Sequence, residues 1–299
     1  MRSLFVSALL SFLLIAPAQA ALRVLACEPE WAALTRELAG DLAQVDSATT
    51  ALQDPHRIEA RPSLLAKARR ADLLVCTGAE LEAGWLPLLQ REAGNGRIQP
   101  GQPGYFEASA QVPLLERPTR LDRAQGDVHA AGNPHVQLDP RLMATIADAL
   151  AARLAQLDPT NASRYAERNA DFQARWQAAI THWQAQGAPL KGAPVVVHHK
   201  SFSYLADWLG LAVVADLEPK PGVEPSAAHL AGLLERLRTQ PARMVLRAAY
   251  QSAQPSQWLS QKAGIPAVEL PYTVGGVPGT DDLFGLFDVT LARLLAAAP

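Results

Sequence analysis

The feature that most constrains this chain is an alternation, met twice, of short apolar runs with segments of helical spacing. In the first half "ALRVLAC" and "ADLLVCTG" are apolar throughout, and "EWAALTRELAG" and "LLAKARR" lie between them. In the second half "APVVVHH", "LAVVADL", "ARMVLRAA" and "PAVELP" alternate with "FSYLADWLG", "PSAAHLAGLLERLRT", "SQWLSQKAG" and "DDLFGLFDVTLARLLAA". Uninterrupted apolar runs of this length suit strands covered on both faces, and strands separated by helices pair in parallel, because parallel neighbours need a crossover connection. The expectation is an α/β chain of two lobes, each a parallel sheet flanked by helices.

Between the halves, residues 161–186 keep helical spacing without a break until Gly187. At a rise of about 1.5 Å per residue such a helix is roughly 40 Å long, enough to cross a domain. Its Tyr165, Phe172, Trp176, Ile180 and Trp183 fall on one face and read as a core stripe. We therefore divide the chain into an N-terminal lobe at 21–158, one long rigid linking helix at 159–187 and a C-terminal lobe at 188–299. Within the first lobe, Ser63 is expected to cap a helix, Pro87 to bend another, and Asp139-Pro140 to open a third. Residues 98–132, rich in Gly, Pro and charge, read as a surface excursion with one short strand.

Arg2, the apolar run from Leu4 to Ile15 and the small-x-small triplet Ala18-Gln19-Ala20 mark residues 1–20 as a signal peptide. The run is too short to span a bilayer, so the mature chain is expected to be soluble after export. Val24-Leu25-Ala26-Cys27 loosely resembles a lipoprotein cleavage box, but Arg23 would fall inside its apolar segment. A net charge of −2 makes neither nucleic acid nor an anionic membrane an expected partner. Cys27 and Cys76 each end a strand-like run; neighbouring parallel strands would bring them close, and an oxidising compartment permits a bond, yet buried free thiols are the expectation.

Two of the seven histidines, His56 in "DPHRIEARPS" and His135 in "GNPHVQLDP", directly follow a proline and precede a helix start. His198 and His199 end the strand "APVVVHH" in the other half, and strand alternation lets only one of them face a given side. Loops at strand C-terminal ends converge on one sheet edge, so three imidazoles are expected to meet in the cleft between the lobes. Such a nitrogen-rich set suits zinc, whereas manganese sites lean on carboxylates. Candidates for a fourth ligand are Glu269, Asp282 or water, and Asp282 reads equally well as a helix cap. His129 lies in the excursion, and His182 and His229 lie in helices among ordinary surface residues.

The segments "DPHRIEARPSLLAKARRADLLVCTGAELEAGWL", "NPHVQLDP", the long helix and "HHKSFSYLADWLGL", in this order, resemble the periplasmic metal-binding proteins of ABC importers, the ZnuA-type zinc proteins and their manganese-binding relatives. The resemblance implies His56, His135 and His199 as metal ligands, preferring His199 over His198, with Phe202 and Tyr204 as an aromatic framework. It further implies a monomeric periplasmic protein carrying Zn(II) as transported ligand to an ABC permease and its separate ATPase. The chain departs from many zinc members in lacking a histidine-dense loop, since His129 alone precedes His135 in "ERPTRLDRAQGDVHAAGNPH". The rival from another class is a secreted zinc hydrolase with Glu218, Glu224 or Glu269 as base, which no His-Glu-x-x-His segment supports. Manganese-binding and metal-buffering relatives remain alternatives within the family.

Overall fold

The computed structural model describes residues 21–119, 126 and 129–298. The expected signal peptide at 1–20 and part of the 98–132 excursion lie outside the described residues. The first lobe contains strands β1 (Leu22–Ala26), β2 (Ala43–Ser47), β3 (Leu73–Cys76) and β4 (Tyr105–Glu107), the last being the short strand of the excursion. They form one parallel sheet in the order β2-β1-β3-β4. The second lobe repeats this plan with β5 (Pro194–Val197), β6 (Ala212–Asp216), β7 (Met244–Ala248) and β8 (Ala267–Leu270), in the order β6-β5-β7-β8.

The crossover helices of the first lobe are α1 (Pro29–Ala39), α2 (Pro62–Arg70), α3 (Leu86–Ala93) and α4 (Pro140–Leu157). The linking helix is α5 (Ala162–Gly187), and α6 (Ser203–Leu209), α7 (Ala227–Thr239), α8 (Ala253–Ala263) and α9 (Leu283–Ala297) follow.

Strand alternation sorts the core into layers. Val24, Ala26, Leu73 and Val75 point inward to a cluster shared with α4, α5, α9 and the second sheet's Val195, Val197 and Leu246. Leu25, Cys27, Leu74 and Cys76 point outward beneath α2 and α3, and Val196 and Val245 do the same beneath α7 and α8. Every residue of the predicted stripe on α5 is buried. Trp176 and Trp183 meet Phe284 and Phe287 of α9 with ring centroids 4.9–6.2 Å apart, so the linking helix is fastened to the second lobe by aromatic packing. One apolar core thus runs through both lobes, and among the described residues no helix is long and apolar enough to cross a membrane.

Three expectations need correction. Arg61, not Ser63, stands at the N-cap of α2: a residue before proline is driven to extended backbone, so Pro62 takes the first turn and the boundary falls two residues earlier. By the same logic Pro87 lies at the start of α3 instead of bending it. The residues ahead of it form turns, with Glu82 accepting hydrogen bonds from the backbone N–H of Thr77 (2.7 Å) and Gly78 (3.1 Å). Finally, Cys27 and Cys76 are joined in a disulfide. Strands β1 and β3 are adjacent in register, Ala26 opposite Val75, so the next pair of residues meets on the outward face with Cα atoms 4.7 Å apart.

Candidate metal centre

His56, His135 and His199 converge from three loops at the C-terminal edges of the two sheets, one ligand atom from each lying within 4.8 Å of the others. Their ring centroids are 5.5–5.7 Å apart. The first two arrive by the same local device. In Asp54-Pro55-His56 the histidine N–H donates to the Asp54 carboxylate at 3.0 Å, and in Asn133-Pro134-His135 it donates to the Asn133 side-chain oxygen, also at 3.0 Å. Each is an Asx turn closed over a proline, which fixes the imidazole's exit from the chain.

The surroundings hold both turns in place. The Trp85 indole N–H donates to the Pro55 carbonyl at 2.9 Å, and a Cβ at Gly84 would stand 2.8 Å from the His56 carbonyl oxygen, so only glycine fits there. Asn133 reaches across to the second lobe, donating to the Lys200 carbonyl at 2.9 Å, while its own carbonyl accepts from the Tyr204 hydroxyl at 2.7 Å. Phe202 and Tyr204, the expected aromatic framework, are both buried beside it. His199 is placed differently, just past the end of β5, and its neighbour His198 stays outside the trio although it lines a pocket with His56, His199, Glu218 and Tyr250.

Each ring is also oriented through Nδ1. Nδ1 of His56 lies 2.8 Å from Asp54 Oδ1, and Nδ1 of His199 lies 2.7 Å from Glu218 Oε2. A carboxylate only accepts, so in these two rings Nδ1 carries the proton and Nε2 keeps its lone pair. Nδ1 of His135 stands 2.8 Å from the Tyr272 hydroxyl, which can accept in the same way. Nε2 of His56 and of His135 are buried with no hydrogen-bond partner. Burial, and then the neighbouring His199, His56 and His129, hold His135 well below the ordinary histidine range. Burial alone would raise the Asp54 carboxyl, but hydrogen bonding with His56 and the charges of His56 and Arg57 outweigh it and hold it low. Imidazoles backed by two carboxylates suit a divalent cation in both ligand type and charge.

Neither carboxylate expected as fourth ligand takes that place. Glu269 pairs with Arg247 and lies 3.6 Å from Arg293, and Asp282 caps α9 by accepting from the Gly285 N–H at 2.7 Å. Sequence reading also missed the partners Asp54, Asn133 and Tyr272; the first two stood in plain view as the repeated (Asp/Asn)-Pro-His triplet, whereas Tyr272 is 137 positions from its histidine.

His129 approaches the same centre, its ring centroid 5.5 Å from that of His56 and 6.4 Å from that of His135. Burial, then the charges of His56 and His199, lower it to about 4. With His135, His199 and Lys200 it lines a cavity of about 250 Å³.

A family model described as ZnuA, zinc-uptake complex component A periplasmic, matches residues 24–297. The high-affinity zinc uptake system protein ZnuA of Bacillus subtilis (strain 168) is 26% identical over 204 residues, covering 67% of this chain and 62% of that protein. The zinc-binding lipoprotein AdcA of Streptococcus pneumoniae is 28% identical over 240 residues, 77% of this chain and 46% of that protein. The chain therefore spans less than two thirds of the length of these two relatives. The manganese ABC transporter substrate-binding lipoprotein PsaA of Streptococcus pneumoniae is 24% identical over 251 residues, 82% of this chain and 77% of that protein. Among solved structures, a ZnuA crystal structure superposes with TM-score 0.76 at 23% identity over 94% of this chain and 100% of that one. FpvC of Pseudomonas aeruginosa in complex with Mn2+ gives 0.77 at 22% identity over 93% and 99%. These likenesses show a shared fold.

Proposed function

The chain belongs to the ZnuA family of periplasmic zinc-uptake components, and on that premise we propose that it captures one Zn(II) between its lobes and delivers it to a membrane permease driven by a separate ATPase chain. The observation that carries this reading is the convergence of His56, His135 and His199 from both lobes, with their ligand atoms within 4.8 Å. Zinc accepts an imidazole-rich shell in tetrahedral geometry, whereas manganese prefers carboxylate and water oxygens. In this chain the carboxylates that contact these rings, Asp54 and Glu218, face Nδ1 atoms. The nitrogen set therefore favours zinc, although PsaA, a manganese protein, is among the relatives.

A carrier needs ligands without a catalytic base. Of the hydrolase candidates, Glu218 orients His199, Glu269 is engaged by Arg247 and Arg293, and Glu224 is exposed at the cleft. We assign the chain no catalytic role. Export through residues 1–20 would leave a monomeric periplasmic protein of two lobes, 21–158 and 188–299, around the linking helix at 159–187.

Zinc uptake by cells tests the proposal. Deleting the gene should raise the external zinc needed for growth and slow accumulation of radioactive zinc, and the intact chain should restore both while His199→Ala does not. Restoration of manganese uptake instead would replace zinc by manganese as the cargo, and unaltered uptake of both metals would contradict the transport role.

A further inference from the structure

The three-histidine centre leaves its fourth position unassigned, and carboxylates do not fill it. Asp54 and Glu218 are spent on the Nδ1 atoms of His56 and His199, Glu269 is held by two arginines, and Asp282 caps a helix. The excursion before α4 brings Glu116 and His129 to the same cavity; the Glu116 carboxylate accepts from the Asn133 side-chain N–H and from the Ser203 hydroxyl, each at 3.0 Å, which leaves the imidazole.

His129 meets the criteria the other rings meet. Its Nε2 is buried without a hydrogen-bond partner, as are those of His56 and His135. Its ring lies against the backbone of Ala79 and Glu80.

That backbone is unusual. Gly78, Ala79 and Glu80 have φ of 77°, 48° and 68°, three consecutive residues in the left-handed region, two of them not glycine. Such backbone costs roughly 1–2 kcal/mol for each L-residue that carries a Cβ, and it persists where the surroundings enforce it. Here Glu82 clamps the turn from below, and the Glu80 carboxylate accepts the Ala130 N–H at 2.7 Å, fixing the chain immediately after His129. The His129 ring centroid stands 6.4 Å from that of His135, against 5.5–5.7 Å within the trio. A shift on the order of 1 Å, within ordinary loop motion, would bring its separation from His135 to that found within the trio.

We propose that His129 is the fourth metal ligand of this centre, so that the cargo is held by four imidazoles, three from the first lobe and one from the second. The proposal rests on the reading of His56, His135 and His199 as a metal site and adds a determinant of selectivity to it. An all-nitrogen tetrahedral shell suits zinc and leaves manganese without the oxygen ligands it favours.

X-ray absorption at the zinc edge, on the full mature chain loaded with zinc alone, counts imidazoles directly. Four in the parent and three in His129→Ala support the proposal. The variant should bind zinc about 10- to 100-fold more weakly, on the scale of losing one supporting contact and not the whole shell, and its preference for zinc over manganese in chelator competition should narrow. Three imidazoles and an oxygen in the parent, with His129→Ala unchanged in spectrum and affinity, overturn the proposal and leave the trio standing. Absence of bound zinc in both chains overturns the trio reading along with it.

Discussion

Cys27 and His198 occupy the same place in their respective lobes. Each follows the first strand of its sheet, and each donates its backbone N–H to the third strand, Cys27 to the Val75 carbonyl at 2.7 Å and His198 to the Leu246 carbonyl at 2.8 Å. Thr49 and Glu218 are likewise equivalent, donating at 3.1 Å to the carbonyls of Cys27 and His198. The following residues, Glu28 and His199, therefore also correspond. In the second lobe this position carries the proposed metal-binding imidazole, with its orienting carboxylate just past the end of β6. In the first lobe the same positions carry an internal fastening: the Cys27–Cys76 bond on the outer face, and on the inner face Glu28, buried with Glu82 and Thr77.

One scaffold has thus been used in two ways. His199 takes its position from strand register, while His56 and His135 take theirs from Asx turns farther along the loops. Glu28 is pushed well above the ordinary carboxyl range by burial and by the charges of Glu82 and Glu30. Burial likewise raises Glu30 and Glu82 to about 7. Glu30 also accepts a short hydrogen bond from Thr273 of the second lobe, so the acid cluster touches the seam between the lobes.

The comparison can be broken at several points. The largest effect is expected from His199→Ala, the sole second-lobe member of the trio: chelator competition should show zinc affinity reduced by orders of magnitude with the fold retained, and an unaltered affinity would remove that lobe from the site. Next comes the first-lobe fastening. The disulfide closes a loop of sequence separation 49, for which the chain-entropy account gives about 4 kcal/mol. Cys27→Ala with Cys76→Ala should lower the guanidinium midpoint accordingly while still binding zinc. A parent midpoint insensitive to reductant would mean that the thiols are not joined.

Smaller losses should follow from the orienting carboxylates. Glu218→Gln and Asp54→Asn should each weaken zinc binding by about 10- to 100-fold, measured by the same competition, and equal losses would show that strand-set and turn-set ligands depend alike on their partners.

The smallest effect concerns pH. Glu30 and Glu82 keep their protons in the folded chain up to about 7, whereas the unfolded chain releases them near 4.5. Folding therefore binds protons in that window, and the stability these acids allow falls as pH rises through it and levels off above. Burial of His135 and His129 acts oppositely: their neutral forms are favoured in the fold, so stability falls as pH drops below 6.5. Glu30→Gln should flatten the decline between 4.5 and about 7. It should also gain on the order of 1 kcal/mol at about pH 8, since one pKa unit is worth about 1.4 kcal/mol and neighbouring acids share the effect. Denaturation across pH without zinc measures it, and an unchanged slope would place the titration elsewhere.

Much of this architecture was legible in the sequence because period and punctuation encode it. Uninterrupted apolar runs announced the parallel strands, the spacing from Tyr165 to Trp183 announced the buried face of α5, and the two Pro-His triplets announced their loops. What stayed hidden depends on long-range order. The disulfide required β1 and β3 to be neighbours, which the order β2-β1-β3-β4 supplies and local pattern does not. The anchoring of His135 by Tyr272 joins opposite lobes. Glu269 and Asp282 looked available as ligands because an arginine pairing and a helix cap are visible only once side chains have positions.

The most direct test is competition titration of the metal-free mature chain with zinc and manganese against a chelator of known strength, with elemental analysis of the product. The convergence of His56, His135 and His199 predicts one tightly held zinc per chain and a clear preference over manganese. Failure to retain metal, or a preference for manganese, would contradict the assignment of these imidazoles as a zinc site.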